Sequence, residues 1–265
     1  MRCMRKHKRG FTLIEVSIFL AVTALLFLSV TIGVQNSIYQ QRYTDAVQSF
    51  ADFLGNLYAE TTNVQSASSG RSDYAIYGKL AVFAKGGNGQ DSEQAVYVYN
   101  TVGNALVGKS GSTLRLLSEA GLGVLVDVDE GSETERKTVG LTDRYVPRWG
   151  ARIQTDGQNP QEDFSGMILV VRDPSTGTVR TFVNREEVSD EDAKDPERVN
   201  GKIKEGGFLG GLSIMEVNFC VNPNGNEFSN NRTDVRLASD ASNASGVTIM
   251  PLDDNANVCN SGGGA

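Results

Sequence analysis

Lys8-Arg9-Gly10-Phe11-Thr12-Leu13-Ile14-Glu15-Val16 decides how the rest of this 265-residue chain is read. On its N-terminal side, residues 1–10 hold five Lys/Arg and no acid; on its C-terminal side, residues 11–34 hold one ionisable side chain, Glu15. As a helix, residues 11–34 would be about 36 Å long, enough to cross a hydrocarbon core about 30 Å thick with some tilt. The positive-inside rule keeps the basic leader cytoplasmic and sends the C-terminal remainder of the chain outside. A secretory signal fits less well, because its apolar region is only ~7 to 15 residues long and is followed, not preceded, by a small residue. Glu15 is the anomaly. A charge at the centre of a bilayer helix costs roughly 2.5 to 3.5 kcal/mol on insertion scales, so an acid in such a run is a functional candidate.

Basic leader, glycine, aromatic and acid in this register, ahead of an apolar helix, resemble the N-terminal signal of type IV pilins and type II secretion pseudopilins. The resemblance implies that a membrane-embedded prepilin peptidase cuts between Gly10 and Phe11 and that Phe11 becomes the N-methylated terminus. It makes Glu15 the assembly residue, whose carboxylate meets the terminal amine of a neighbouring subunit. Elementary electrostatics agrees. An α-amino group has a reference pKa near 7.7 to 8.0 and is mostly cationic at neutral pH. An ammonium and a carboxylate that are each costly in hydrocarbon partly offset that cost when paired. The blander reading places Glu15 in the headgroup zone with no partner. The implied partners are other pilin subunits, the prepilin peptidase and an inner-membrane assembly platform. The implied location is the cytoplasmic membrane, single-pass with the C-terminal head outside, and then an extracellular filament.

Composition narrows the rest. Formal charge is −7 overall, which leaves −12 for the side chains of residues 11–265. That balance argues against direct nucleic-acid binding, which wants a basic face. The one histidine, His7, lies in the leader, so the remainder has none for a Ser-His-Asp or Cys-His site or for a metal. Enzymatic activity is not expected. Cys3 belongs to the leader, and Cys220 and Cys259 form an even pair in a segment expected outside the cytoplasm. They are two free thiols or a bridge. A bridge would close a loop of about 40 residues and be worth roughly 4 kcal/mol in the chain-entropy model. It would resemble the C-terminal disulfide loop of many type IV pilins.

The helical pattern continues past the apolar run. Tyr39, Tyr43, Ala46, Val47, Phe50, Leu54, Leu57 and Tyr58 keep a 3.6-residue period, and no proline interrupts residues 11–60. One helix is therefore expected, transmembrane over 11–34 and amphipathic over 35–60, its aromatic stripe serving as packing surface. After a polar loop at 61–73, strands are expected at 74–83, 94–102, 113–117, 122–128, 213–221 and 246–250. Runs 167–172 and 178–183 flank Asp173-Pro174-Ser175-Thr176-Gly177 and read as a hairpin. A long helix packed on an antiparallel sheet defines an α+β class, which is also the pilin architecture that the resemblance implies, with residues 61–265 as the β-rich head.

Other segments carry less. Acids at 127–135 have the density for Ca²⁺ without the calcium-loop spacing, and Asp253-Asp254-Asn255 near Cys259 is a second weak Ca²⁺ candidate. No cofactor is otherwise expected. Residues 189–197 read as an exposed loop or helix start. Lys85-Gly86-Gly87-Asn88-Gly89 lacks the Lys-Ser/Thr of a phosphate loop and reads as a turn. Two sequons, at Asn231 and Asn243, carry little weight, and the tail 261–265 reads as disordered. The function expected is a structural subunit of a pilus-like filament, minor pilin or pseudopilin. The alternative is a signal-anchored extracellular binding module.

Overall fold

The computed structural model of the chain describes residues 12–62, 74–85, 93–104, 111–124, 141–155, 163–173, 176–205, 213–214, 216–222, 233–241, 246–250 and 259. The chain divides into two compact units, Met1–Thr44 and Asp45–Ala265. The first helix, α1, runs unbroken over Leu13–Thr62. In the first unit its large apolar side chains are exposed, from Leu13 at 86% through Phe27 at 75% to Val34 at 51%. The helix is long and apolar enough to cross a membrane.

In the second unit the same helix becomes one-sided. Ala46, Val47, Phe50, Leu54, Leu57, Tyr58 and Thr61 are all buried, the spacing that puts them on one face. The expected stripe therefore starts later than its sequence pattern, since Tyr39 is 48% exposed.

Two antiparallel sheets lie under that face. The larger is built from β1 (Tyr74–Ala84), β2 (Ala95–Asn104), β3 (Gly123–Val124), β6 (Gly166–Arg172), β7 (Val179–Asn184) and β11 (Asp240–Ala241) in the order β11-β7-β6-β1-β2-β3. β4 (Leu141–Tyr145) also pairs with β2, and β8 (Ser213–Ile214) with β7. The smaller sheet has the order β12-β10-β9-β5, from β5 (Arg152–Thr155), β9 (Val217–Asn222), β10 (Thr233–Leu237) and β12 (Val247–Met250). α1 sits on both. The Phe50 ring meets Phe219 of β9 edge-on at 5.4 Å and Phe83 of β1 edge-on at 6.5 Å, while Phe53 stacks on Tyr145 of β4 at 4.4 Å. The aromatic stripe is thus packing surface.

The large sheet is covered on its other face too. Leu80 and Val82 of β1, Tyr97 and Tyr99 of β2, Leu169 and Phe182 form a core with α2 (Thr113–Glu119), α3 (Asp190–Lys194) and α4 (Pro196–Glu205), through Leu117, Ala193, Val199 and Ile203. The two inner strands β1 and β6 are consequently near-continuous apolar runs, as strands buried on both faces must be. β1 bends at a register shift between Ile76 and Gly78. There a Cβ on Gly78 would lie 2.0 Å from the Val170 carbonyl oxygen of β6, so only glycine allows the strands to close.

The α+β class stands, with corrections in detail. Residues 113–117, expected as a strand, open α2. Thr113, Leu116, Leu117 and Ala120 are buried, which is i, i+3, i+4, i+7 spacing. The Thr113 hydroxyl also donates to the Asp173 carboxylate, tying α2 to the β6–β7 turn. The strand expected over 213–221 is two, β8 in the large sheet and β9 in the small one. Of the strand expected at 122–128, Gly123–Val124 is formed and 125–128 lie outside the described residues. The hairpin is β6–β7 in the register Met167↔Asn184 to Arg172↔Val179. Ser189 caps α3, its Oγ accepting from the Asp192 amide at 3.1 Å, so 189–197 holds that short helix and the opening of α4.

Gln94 joins the two sheets. It is buried, its Nε2 donates to the carbonyls of Ile153 and Phe164 at 3.0 Å each, and its Oε1 accepts from the Ile153 amide at 2.8 Å. A side-chain amide thus meets the edge strand β5 as a neighbouring peptide unit would. Between β4 and β5 the chain turns at Arg148-Trp149-Gly150-Ala151. Trp149 and Gly150 both have positive φ (59° and 68°), and the Ala151 amide donates to the Arg148 carbonyl at 3.1 Å. This is the signature of a type I′ turn. Gly150 suits it, but the left-handed region costs a residue with a Cβ roughly 1 to 2 kcal/mol.

Candidate functional site

The residues expected to act cluster at the start of α1. Gly10 and Phe11 lie outside the described residues. Thr12 and Glu15 are described and bonded to each other. The Glu15 amide donates to Thr12 Oγ1 at 3.3 Å, and the Thr12 amide and hydroxyl donate to Glu15 Oε2 at 3.1 and 3.2 Å. This is a capping box, in which the first helix residues satisfy their orphan donors reciprocally. The carboxylate also sits where the helix dipole favours an anion. The sequence pattern singles out Glu15 by its charge, and Thr12 is the residue that charge alone does not mark, although Thr-x-x-Glu before an apolar run is the signal for this arrangement.

The rest of the apolar run keeps its polar atoms to itself. Ser17 Oγ donates to the Ile14 carbonyl at 2.9 Å, Thr23 Oγ1 to Phe19 at 2.9 Å, Ser29 Oγ to Leu26 at 2.8 Å and Thr31 Oγ1 to Phe27 at 2.8 Å. Side-chain hydroxyls bonded back to the preceding turn expose no unsatisfied donor to a surrounding apolar phase. Chemically, this surface offers greasy side chains, self-bonded hydroxyls and one capped carboxylate. It is suited to burial in lipid or among other helices.

In the head, Cys220 lies on β9 with 3% exposure, and Cys259 stands at disulfide distance from it, with 5.5 Å between the Cα atoms. Asp253 to Asn255 and residues 127–135, the weak Ca²⁺ candidates, lie outside the described residues, as do the asparagines of both sequons and the glycines after Lys85. Among the described residues no group of His, Cys, Asp and Glu is arranged to hold a metal. The acids of α3 are engaged locally. The Asp190 carboxylate accepts from the Tyr97 hydroxyl at 2.8 Å and pairs with Lys194, and Asp192 pairs with Arg198 at 3.0 Å. Burial opposes the charge on Asp190, but the Lys194 and Tyr97 hydrogen bonds outweigh it and hold the carboxyl below its ordinary value.

Burial dominates elsewhere. Tyr58 of α1, wholly buried, has its pKa pushed up to about 12 by desolvation, with Thr181 pulling the other way. Its hydroxyl bonds to Thr181 and donates to the Ala238 carbonyl at 2.8 Å, so it is a structural strut and no acid or base. Asp163 is raised by desolvation that the Arg152 guanidinium, 3.8 Å away, does not offset.

A 50-residue helix with an apolar, internally satisfied first half, ahead of antiparallel sheets, defines a mixed α+β chain of pilin-like build. Residues 5–31 match the family model of the prokaryotic N-terminal methylation motif, the type IV pilin and pseudopilin signal. The match covers about a tenth of the chain and places the capping box inside the motif. No curated protein and no solved structure matches the chain. The motif points to a structural protein that assembles with other pilin subunits after processing by a prepilin peptidase, and with the apolar helix it fits a membrane-anchored pilin.

Proposed function

We propose that this chain is a structural subunit, a minor pilin or pseudopilin, of a type IV pilus-like filament. The carrying observation is the register of the matched motif on the helix: leader and glycine precede a capped helix start, and the acid falls in its first turn. On this reading the peptidase cuts between Gly10 and Phe11 and Phe11 is methylated. Glu15 then faces the amine of an adjacent subunit, offsetting the cost of both charges in an apolar setting. The leader holds the precursor in the cytoplasmic membrane with the head outside. An assembly platform then moves the helix from lipid into a helical bundle, where its apolar surface stays buried. Cys220 and Cys259, oxidised outside the cytoplasm, close the C-terminal loop.

Intact mass of the chain, made with and without a prepilin peptidase, tests this. Loss of residues 1–10 with one added methyl is expected, and Gly10→Val should leave the chain at full length. A parent chain that stays uncut beside an active peptidase would replace this reading with an anchored ectodomain that binds through its head.

A further inference from the structure

The small sheet ends on an open strand. Its core face passes from Phe219 on β9 through Val235 on β10 to Ile249 on β12, which lie opposite one another in register. Phe219 and Val235 are wholly buried, whereas Ile249 is 36% exposed. The core face is therefore uncovered at β12. There a groove of about 720 Å³ opens between β12 and one flank of α1, lined by Val247 and Ile249 on one side and by Ala51, Gly55 and Ala59 on the other. A Cβ on Gly55 would meet nothing within 4 Å, so the groove has room for side chains that the head does not supply.

The edge of β12 beside the groove is chemically specific. The Ala238 amide donates to the Gly246 carbonyl at 2.8 Å, and Leu237 stands opposite Val247. Antiparallel pairing alternates, so Thr248 and Met250 turn their backbone groups to β10, and Val247 and Ile249 turn theirs outward. Those two N–H and two C=O groups make no hydrogen bond among the described residues, because β12 pairs with β10 alone. β12 has neither a charged residue nor a register shift to blunt this edge. Donors and acceptors that recur at every second residue are matched by another extended backbone.

Charge selects whose backbone it is. Asp52 of α1 lines the same groove, exposed and held by a 2.9 Å hydrogen bond from Gln48 Nε2, and it makes no ion pair among the described residues. A second copy fits this carboxylate badly, because its own β12 leads into Asp253 and Asp254 and its residues 11–265 sum to −12. A cationic segment fits it well. We propose that β12 accepts, as a fifth strand of the small sheet, an extended segment of a partner protein that is apolar at alternate positions and carries Lys or Arg near Asp52. The apolar side chains of that segment enter the groove beside Gly55. The site is built from the head and its part of α1, so it does not depend on entry into a filament.

The test uses the full chain in detergent micelles under non-reducing conditions, with the labelled peptide acetyl-Lys-Thr-Val-Thr-Val-Thr-Lys-amide. Fluorescence anisotropy should show saturable binding, and amide hydrogen exchange at Val247 and Ile249 should slow in the complex. Ile249→Pro removes an outward N–H and leaves the bonds to β10, so it should melt close to the parent yet bind at least about tenfold more weakly. Gly55→Leu fills the groove with a better helix former, so it should melt no lower and lose the peptide to the same extent. Replacing the peptide's Lys by Glu should weaken binding to the parent, and Asp52→Lys should reverse that preference. No saturable binding at millimolar peptide, unchanged exchange at Val247 and Ile249, or equal binding to Ile249→Pro and Gly55→Leu would overturn the strand site. Preference of the parent for the acidic peptide, or pairing of β12 with β12 of a second copy in place of the peptide, would overturn its basic occupant.

Discussion

On the proposed reading, Glu15 serves two settings, the second of them the amine of a neighbouring subunit. In the single chain it caps its own helix through Oε2, which removes part of the cost of carrying a charge into an apolar run. Glu15→Ala should therefore insert and be cleaved, because the apolar run and Gly10 are untouched, but assemble poorly. Normal incorporation in a shear assay would remove the pairing role. Asp163 is the opposite case, a half-buried carboxyl that the fold does not repay. Its folded pKa lies above the ordinary value, so the stability linked to its protonated form is present below the unfolded pKa and lost as pH rises through the folded one. Asp163→Asn should gain on the parent in thermal melts as pH climbs from 3 to 7, and the gain should vanish at the acid end. A gain that grows toward acid would show that Arg152 governs this carboxyl.

At the level of elements, β1 is where the sheet is least tolerant. Gly78→Ala brings a methyl against the Val170 carbonyl, which no rotamer can avoid because both partners are backbone. Large destabilisation, of order 3 kcal/mol or more, is expected, in the range seen when a special backbone site is broken. A melt within a degree of the parent would mean that β1 and β6 can part at no cost. The elements also show what sequence conveys. α1 is legible because fifty residues repeat one period without a proline, and β6–β7 because turn residues separate two β-branched runs. α2 reads wrongly as a strand because seven residues hold only two turns of pattern, and Thr113 and its leucines suit a strand equally well. β4 (Leu-Thr-Asp-Arg-Tyr), β5 (Arg-Ile-Gln-Thr) and β10 (Thr-Asp-Val-Arg-Leu) escape notice because charged and polar residues mask short strands, and β4 and β5 also find their partners far away in sequence. Gln94 reads as the start of a strand, and its bridging of two sheets is a property of the assembled fold alone. At the start of α1 the acid is legible by its charge, whereas Thr12 shows its role only through the bond it makes.

At the scale of the molecule, the Cys220–Cys259 pair spans 39 residues near the C-terminus. In the chain-entropy model its bridge is worth about 4 kcal/mol, and for a unit of this size each kcal/mol moves Tm by roughly 2 to 4 °C. Reduction should thus lower the melting temperature by about 10 °C; no change on adding reductant would mean two free thiols. The order of the strands has a temporal consequence as well. β5 (Arg152–Thr155) waits for β9 (Val217–Asn222), and β7 gains its last partner only at Asp240–Ala241. Neither sheet can be completed from a contiguous stretch, so folding depends on distant pairings and is slow for the size of the head. On the proposed topology, a chain threaded outward from its N-terminus cannot complete either sheet until β11 and β12 arrive, and the interval between emergence and closure leaves those sheet edges open to proteases and chaperones.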